Sequence, residues 1–226
     1  MRIRSSKVVV FLLTFFILLS QVFTSSFALA DNKVPFTIFH TNDMHGRLGY
    51  EEYKGKPSSF GSAREKALID KEKKENPDRT VIALDAGDAF QGLPVSNQSK
   101  GQDMAKAMNE IGYKAMAAGN HEFDFGLDTV EKYKNNPQNG GWLNFPILST
   151  NVYKDGKRLF EPSTIINENG VKIGIVGVTT PETATKTNPT GIKGVTFKKP
   201  IPEVTNEITR IKDKVDFIAV LAHLGD

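Results

Sequence analysis

The 226-residue chain has no cysteine, so neither a disulfide nor a thiolate-built metal or redox site is open to it. Its fold must rest on a packed core, which a domain of this length can supply. No internal repeat and no low-complexity linker divides it. Long hydrophobic runs are also lacking: the apolar stretch Val8 to Leu19 has twelve residues, short of the ~20 that a bilayer-spanning helix needs. Excess charge of one sign is absent from most of the chain. The formal charge is +3, from 29 basic and 26 acidic residues, but Arg2, Arg4 and Lys7 lie in the first thirty, which leaves residues 31–226 with 26 of each sign. That balance gives no support to nucleic-acid binding or to membrane-surface binding by the folded part.

The first thirty residues have their own logic. A basic head is followed by the apolar run and then by Ala28-Leu29-Ala30, the pattern of a secretory signal peptide cleaved before Asp31. The expected product is secreted or held in the cell envelope, with no stable membrane association after cleavage. The rival is an uncleaved anchor, which the short run disfavours.

Histidine is scarce, yet two of the four histidines sit in compact polar groups that follow apolar runs. Asn42-Asp43-Met44-His45-Gly46, Gly87-Asp88-Ala89-Phe90-Gln91-Gly92 and Gly119-Asn120-His121-Glu122 each carry the oxygen and nitrogen donors that suit Zn, Mn, Fe or Co. Residues two apart on a strand share a face, so Asp43 and His45 are expected on one side of the chain and able to hold one cation. Asp88, from the next strand end, could bridge to a second cation ~3.5–4 Å away, the spacing of two-metal phosphoesterases. Adjacent Asn120 and His121 point in different directions, which suits one ligand and one residue facing substrate. His40 reads as a hydrogen-bonded interior residue supporting the ligands, and Glu122 as a local structural carboxylate. Asp124 has two readings, fixing the tautomer of His121 or capping a helix that begins near Gly126. Each signal alone is weak, since Gly-Asp after a strand is usually a turn; their order at three successive strand ends is what makes a metal site.

The three blocks, extended to Gly119-Asn120-His121-Glu122-Phe123-Asp124, resemble the 5'-nucleotidase branch of the calcineurin-like metallophosphoesterases over about residues 36 to 226. The resemblance implies that Asp43 and His45 bind a first divalent metal, Asp88 bridges, and Asn120 binds the second. It implies that His121 and Asp124 are the catalytic pair, with Asn120 and His121 also facing substrate. His223 in Ala222-His223-Leu224-Gly225 matches a fourth block and would join the second metal's ligands. The implied activity is hydrolysis of a nucleotide, as in a 5'-nucleotidase, by attack of a metal-bound hydroxide on phosphorus, with His121 stabilising the leaving oxygen. A 2',3'-cyclic nucleotide phosphodiesterase/3'-nucleotidase or a UDP-sugar hydrolase is the alternative, and so is a non-catalytic chain that merely folds or binds metal weakly. The family also carries a Gly-His-x-His or Gly-His-x-Gln block and a C-terminal substrate-binding domain, which are not reached by Asp226; residues 31–226 are expected to be a truncated N-terminal metallophosphoesterase domain.

Strand and helix patterns alternate. Strands are expected at Phe36 to Thr41, Thr80 to Leu84, Lys114 to Ala118 and Phe145 to Asn151. Two more, Lys157 to Asn167 and Val171 to Val178, flank the turn Glu168-Asn169-Gly170, and Phe217 to Ala222 is the last. Helices are expected at Gly61 to Lys74, Ser99 to Ile111, Leu127 to Lys134 and Ile201 to Ile211, and Asn135 to Gly141 as a surface loop. The pattern argues α/β with a mixed sheet; the resemblance sharpens this to two mixed β-sheets sandwiched between helices.

Overall fold

Period-two alternation in the central strands decides the architecture. The computed structural model describes residues 34–225, so the leader expected at residues 1–30 lies outside the described residues. In chain order the elements are β1 (Phe36–Thr41), β2 (Glu51–Tyr53), β3 (Lys56–Ser59), α1 (Ser62–Glu75), β4 (Thr80–Asp85), α2 (Pro94–Asn97), α3 (Gln102–Ile111), β5 (Tyr113–Ala117), α4 (Leu127–Lys134), β6 (Ile147–Leu148), β7 (Val152–Lys154), β8 (Lys157–Arg158), β9 (Ser163–Glu168), β10 (Val171–Thr179), α5 (Thr183–Lys186), β11 (Val195–Phe197), α6 (Pro200–Ile211) and β12 (Phe217–His223).

A parallel sheet runs β1-β4-β5-β6, and a mixed one runs β12-β10-β9, with β10 parallel to β12 and antiparallel to β9. Along β4, Val81 and Ala83 join a core with Ile69 of α1, Met104 and Met108 of α3, and Val130 and Tyr133 of α4. The intervening Ile82 and Leu84 point the other way, into a second core with Ile173 and Ile175 of β10 and Leu221 of β12. A strand buried on both faces favours apolar residues on both, which is why Val81 to Leu84 within Thr80–Asp85 reads as a continuous apolar run. Each such aliphatic side chain contributes roughly 1.5–3 kcal/mol by leaving water. On the far side of the second sheet α6 packs against β10, so closely that a Cβ on Gly174 would lie 2.8 Å from Ile211 Cδ1. The layers are helix, sheet, sheet, helix, as the resemblance implies, but of the two sheets expected to be mixed only the second is so among the described residues. Among the described residues no helix is long and apolar enough to cross a membrane.

Several boundaries differ from expectation for local reasons. The helix expected from Ser99 starts at Gln102, because Lys100 and Gly101 take positive φ (52° and 85°) and separate it from α2. Gly112 ends it in the left-handed conformation, its N–H reaching Met108 O. The single strand expected over Lys157 to Asn167 is two strands in different sheets. It breaks where Leu159 and Phe160 turn into the first core ahead of Pro162, which has no N–H for a ladder. The Asn169-Gly170 turn does form, with φ 53° and 83° joining β9 to β10, the two-residue geometry that matches strand twist. The strand expected over Phe145 to Asn151 is only Ile147–Leu148. Beyond it the polar residues stitch the sheets together: Asn151 Oδ1 accepts from Thr179 N at 3.0 Å and Asn151 Nδ2 donates to Thr179 O at 2.7 Å.

Candidate metal centre

β1, β4 and β5 are parallel neighbours, so their carboxyl ends share one edge, the end at which open α/β sheets place their ligands. The segments that follow them continue the pairing: Asp43 N donates to Gly87 O (2.9 Å), His45 N to Asp88 O (2.9 Å) and Gly46 N to Ala89 O (2.8 Å). Asp43, His45 and Asp88 all have positive φ, 53°, 49° and 59°, a backbone that non-glycine residues adopt only when their surroundings fix it. The expected reason for Asp43 and His45 sharing a side is therefore wrong in detail. They lie past the end of β1 at Thr41, and two left-handed residues, not strand alternation, turn Asp43 Oδ1 and His45 Nε2 to within 3.7 Å. One donor atom from each of Asp43, His45 and Asp88 lies within 4.8 Å of the others.

A second donor group meets the first at Asp88. His223, the last residue of β12, pairs with Thr179 in register and brings Nε2 to 3.2 Å from Asp88 Oδ2 and 3.2 Å from Asn120 Oδ1. Its Nδ1 donates to Ala86 O at 3.0 Å, just as His45 Nδ1 donates to Gln91 O at 2.8 Å. A carbonyl can only accept, so both rings carry their proton on Nδ1 and turn Nε2 toward the carboxylates. Those two carbonyls belong to Ala86 and Gln91, which sequence reasoning could not single out because a main-chain acceptor is the same for any residue. Burial opposes protonation of His223, but the Asp88 hydrogen bond and charge outweigh it and push its pKa up to about 9. Burial likewise opposes ionisation of Asp88, while His223 and the His121 N–H hold its carboxyl below the usual range.

Glu122 takes the structural role expected of it. Fully buried, it accepts from Asp88 N (2.8 Å), Gly119 N (2.7 Å) and Ala89 N (2.9 Å), binding the second and third loops together. Burial and the nearby charge of Asp88 push its pKa up to about 7 against the pull of those N–H groups. Glycine is required where the loops touch: a Cβ on Gly87 would lie 2.7 Å from Gly119 N, and one on Gly119 would lie 2.2 Å from Asp88 Oδ1.

Asn120 and His121 diverge. The His121 N–H donates to Asp88 Oδ1 at 2.8 Å, its ring crosses that of His45 edge-to-face at 5.2 Å, and its Nδ1 meets Asp124 Oδ2 at 2.6 Å. Of the two readings of Asp124, orientation of His121 is the one the structure favours, because the cap of α4 is Gly126 and no side chain caps that helix. His40 is corrected: it is exposed on edge strand β1, not interior, and lines the same cleft as Asn42 and Asp43. That cleft, about 750 Å³, is also walled by Asp88, Asn120 and His223.

The model of the family described as calcineurin-like phosphoesterase matches residues 36–226. The chain belongs to that family. Among calcineurin-like relatives, a 5'-nucleotidase of Vibrio cholerae is 40% identical over 202 residues, covering 87% of this chain and 35% of its own length. Protein UshA of Escherichia coli is 34% identical over 234 residues, covering 100% and 40%. The solved 5'-nucleotidase precursor of Thermus thermophilus superposes with a TM-score of 0.69 at 33% identity, over 83% of this chain and 37% of that one. The chain thus spans little more than a third of the length of the curated relatives it matches.

The residues fit the divalent cations that the family implies. Three oxygen donors and two imidazoles, with no thiolate, are a set for Zn, Mn, Co or Fe. The place between His223 Nε2, Asp88 Oδ2 and Asn120 Oδ1 demands a positive charge, since without one a ring nitrogen and two oxygens would face one another lone pair to lone pair.

Proposed function

We propose that this chain carries the catalytic centre of an exported two-metal phosphohydrolase acting on nucleotides, of the 5'-nucleotidase type. The observation that supports it is the convergence of Asp43, His45, Asp88, Asn120 and His223 beside the His121–Asp124 pair. The names of the Vibrio and Thermus relatives point to a nucleotide as substrate. Asp43, His45 and Asp88 would hold one cation, and Asp88, Asn120 and His223 the other. Bound there, two divalent cations supply Lewis acidity toward a phosphoryl oxygen and lower the pKa of a bound water.

The chain's own residues have separate tasks. Asp88 would take the shared position because it belongs to both donor groups: a carboxylate oxygen lies within 4.8 Å of donor atoms of Asp43 and His45, and Oδ2 lies 3.2 Å from His223 Nε2, while the His121 N–H holds Oδ1 in place. His121 keeps Nδ1 on Asp124, which leaves Nε2 to hold a proton for the departing oxygen. Glu122 holds the loops and touches no substrate. Export is proposed from the basic head, apolar run and Ala-x-Ala end of residues 1–30.

Phosphate release from a nucleoside 5'-monophosphate in the presence of Mn²⁺ tests the reading. Asp88→Ala should lose bound metal and turnover together. His121→Ala should keep its metal and lose turnover by about 10²–10⁴-fold, the range for a positioned acid. Turnover surviving in Asp88→Ala, or metal lost in His121→Ala, would overturn these assignments.

A further inference from the structure

Asp124 has two oxygens, and only one of them serves His121. The other, Oδ1, accepts from Thr187 Oγ1 at 2.5 Å and from Asn188 N at 3.4 Å. Thr187 stands 63 residues away in sequence, at the C-terminal cap of α5, and is only 9% exposed. Among the described residues its hydroxyl has Asp124 as its one hydrogen-bond partner. A short charge-assisted bond to a carboxylate fixes the plane of that carboxylate as well as its position.

The segment that presents Thr187 is itself held. Asn188 Oδ1 accepts from Thr190 N (3.1 Å) and Thr190 Oγ1 (2.9 Å), closing the turn ahead of the 3₁₀ helix Pro189–Ile192. That helix rests on the segment bearing His121: a Cβ on Gly191 would lie 2.3 Å from Phe123 O, so only glycine permits the approach. Two independent contacts, Thr187 on Asp124 and Gly191 on Phe123, therefore latch residues 187–191 to residues 121–124.

We propose that Thr187 is a positioning residue of a three-membered relay, Thr187–Asp124–His121, which fixes the tautomer and aim of the His121 ring. It rests on the reading of His121 as the group that protonates the leaving oxygen. With Oδ1 tied to Thr187, Asp124 cannot rotate, Oδ2 stays on His121 Nδ1, and the proton that His121 can give up is confined to Nε2. Without Thr187, Oδ1 keeps only the long Asn188 contact, the plane of the carboxylate is no longer fixed, and the ring samples both tautomers.

Thr187→Val is nearly isosteric and removes only the hydroxyl; Thr187→Ser restores it. In ¹⁵N-labelled protein loaded with Zn²⁺, two-bond ¹H–¹⁵N spectra at one pH read which ring nitrogen of each histidine bears the proton. The expected result in the wild type and in Thr187→Ser is a His121 whose Nδ1 always bears a proton, so that the proton it can give up sits on Nε2 and the neutral ring left behind is the Nδ1–H form alone. In Thr187→Val His121 should be a mixture, with His45 and His223 unchanged. Turnover of a nucleoside 5'-monophosphate should fall about 10–100-fold in Thr187→Val, the usual cost of losing a residue that orients a functional one. Its KM and metal content should be kept, and a nitrophenyl phosphate, whose leaving oxygen needs little help, should be nearly unaffected. An unchanged His121 spectrum in Thr187→Val, or a Thr187→Ser variant as impaired as Thr187→Val, overturns the inference. His121→Ala is measured alongside: if it slows both esters equally, the acid role of His121 fails, whereas a tautomer change in Thr187→Val would still establish Thr187 as the residue that positions the ring.

Discussion

Adding one methyl group at Gly119 should cost this protein both stability and metal. The Cβ of alanine there would sit 2.2 Å from Asp88 Oδ1, 2.6 Å from Asp88 N and 2.8 Å from Glu122 Oε2. Carbon and oxygen are comfortable at ~3.5 Å, so the Asp88 carboxylate must retreat by about 1 Å. It has nowhere to go: Asp88 is 3% exposed, its Oδ1 holds the His121 N–H at 2.8 Å, and its Oδ2 faces His223 at 3.2 Å. Overpacking costs ~1–3 kcal/mol, and a buried N–H deprived of its acceptor adds ~1–3 kcal/mol. Gly119→Ala should therefore be less stable by about 2–6 kcal/mol. Because the displaced oxygens belong to the proposed shared ligand, Mn²⁺ affinity should fall at least ~100-fold, the upper end of what disturbing a ligand's support does. Calorimetric Mn²⁺ titration and thermal melts with and without Mn²⁺ measure both effects. Gly49→Ala is the control, since a Cβ there meets nothing within 4 Å and Gly49 does not need positive φ. A Gly119→Ala variant with wild-type melting and wild-type Mn²⁺ affinity would refute the reasoning.

Three further outcomes follow from the same geometry. In metal-free protein the folded pKa of His223 is raised to about 9 from 6.5. Its contribution to stability is therefore complete below pH 6.5 and lost as pH rises through 9, and the melting temperature should drop over that window. His223→Gln should flatten the drop, and so should saturating Mn²⁺, which takes the proton's place; a slope that persists in either shows another group to be responsible. Buried Asp85, its pKa raised well above the ordinary value by burial, accepts from Gly87 N at 2.8 Å and bonds Thr41 Oγ1 at 2.6 Å. A neutral carboxyl accepts at one oxygen and donates at the other, as asparagine does, so Asp85→Asn should melt close to wild type while Asp85→Ala loses ~1–3 kcal/mol; equal losses would show an ionised Asp85. Exported protein should begin Asp31-Asn32-Lys33-Val34 on N-terminal sequencing, and recovery of residues 1–30 on membrane-bound protein would favour the anchor.

How far the sequence carries toward this structure depends on what kind of information a feature uses. Strands β4 and β10 were legible because burial on both faces leaves a run without charged residues over Val81 to Leu84 and Ile173 to Val178, and the turn between β9 and β10 because Asn169-Gly170 is one of few pairs that accept positive φ twice. The helix-side boundaries drifted where a loop residue is displaced by tertiary contact, as at Gly101, whose Cβ would lie 2.5 Å from Phe90 Cβ. The ligand types at the strand ends could be read, but the reason they converge could not. Asp43, His45 and Asp88 all adopt a conformation that costs a non-glycine residue roughly 1–2 kcal/mol, and nothing in their identities announces it. It is held by the ladder of main-chain bonds between residues 43–46 and 87–89, by Glu122 collecting three N–H groups, and by the Ala86 and Gln91 carbonyls that set both histidine tautomers. Main-chain atoms do most of this, and they are invisible in a string of side-chain names. The trace they leave is indirect. Gly87, Gly92 and Gly119 stand where two of these loops approach closer than a Cβ allows; a Cβ on Gly92 would lie 2.3 Å from the His45 carbonyl oxygen. A glycine beside an aspartate or an asparagine reads locally as a turn, and only when the loops are brought together does the same residue become the clearance that lets one donor side chain lie against the next.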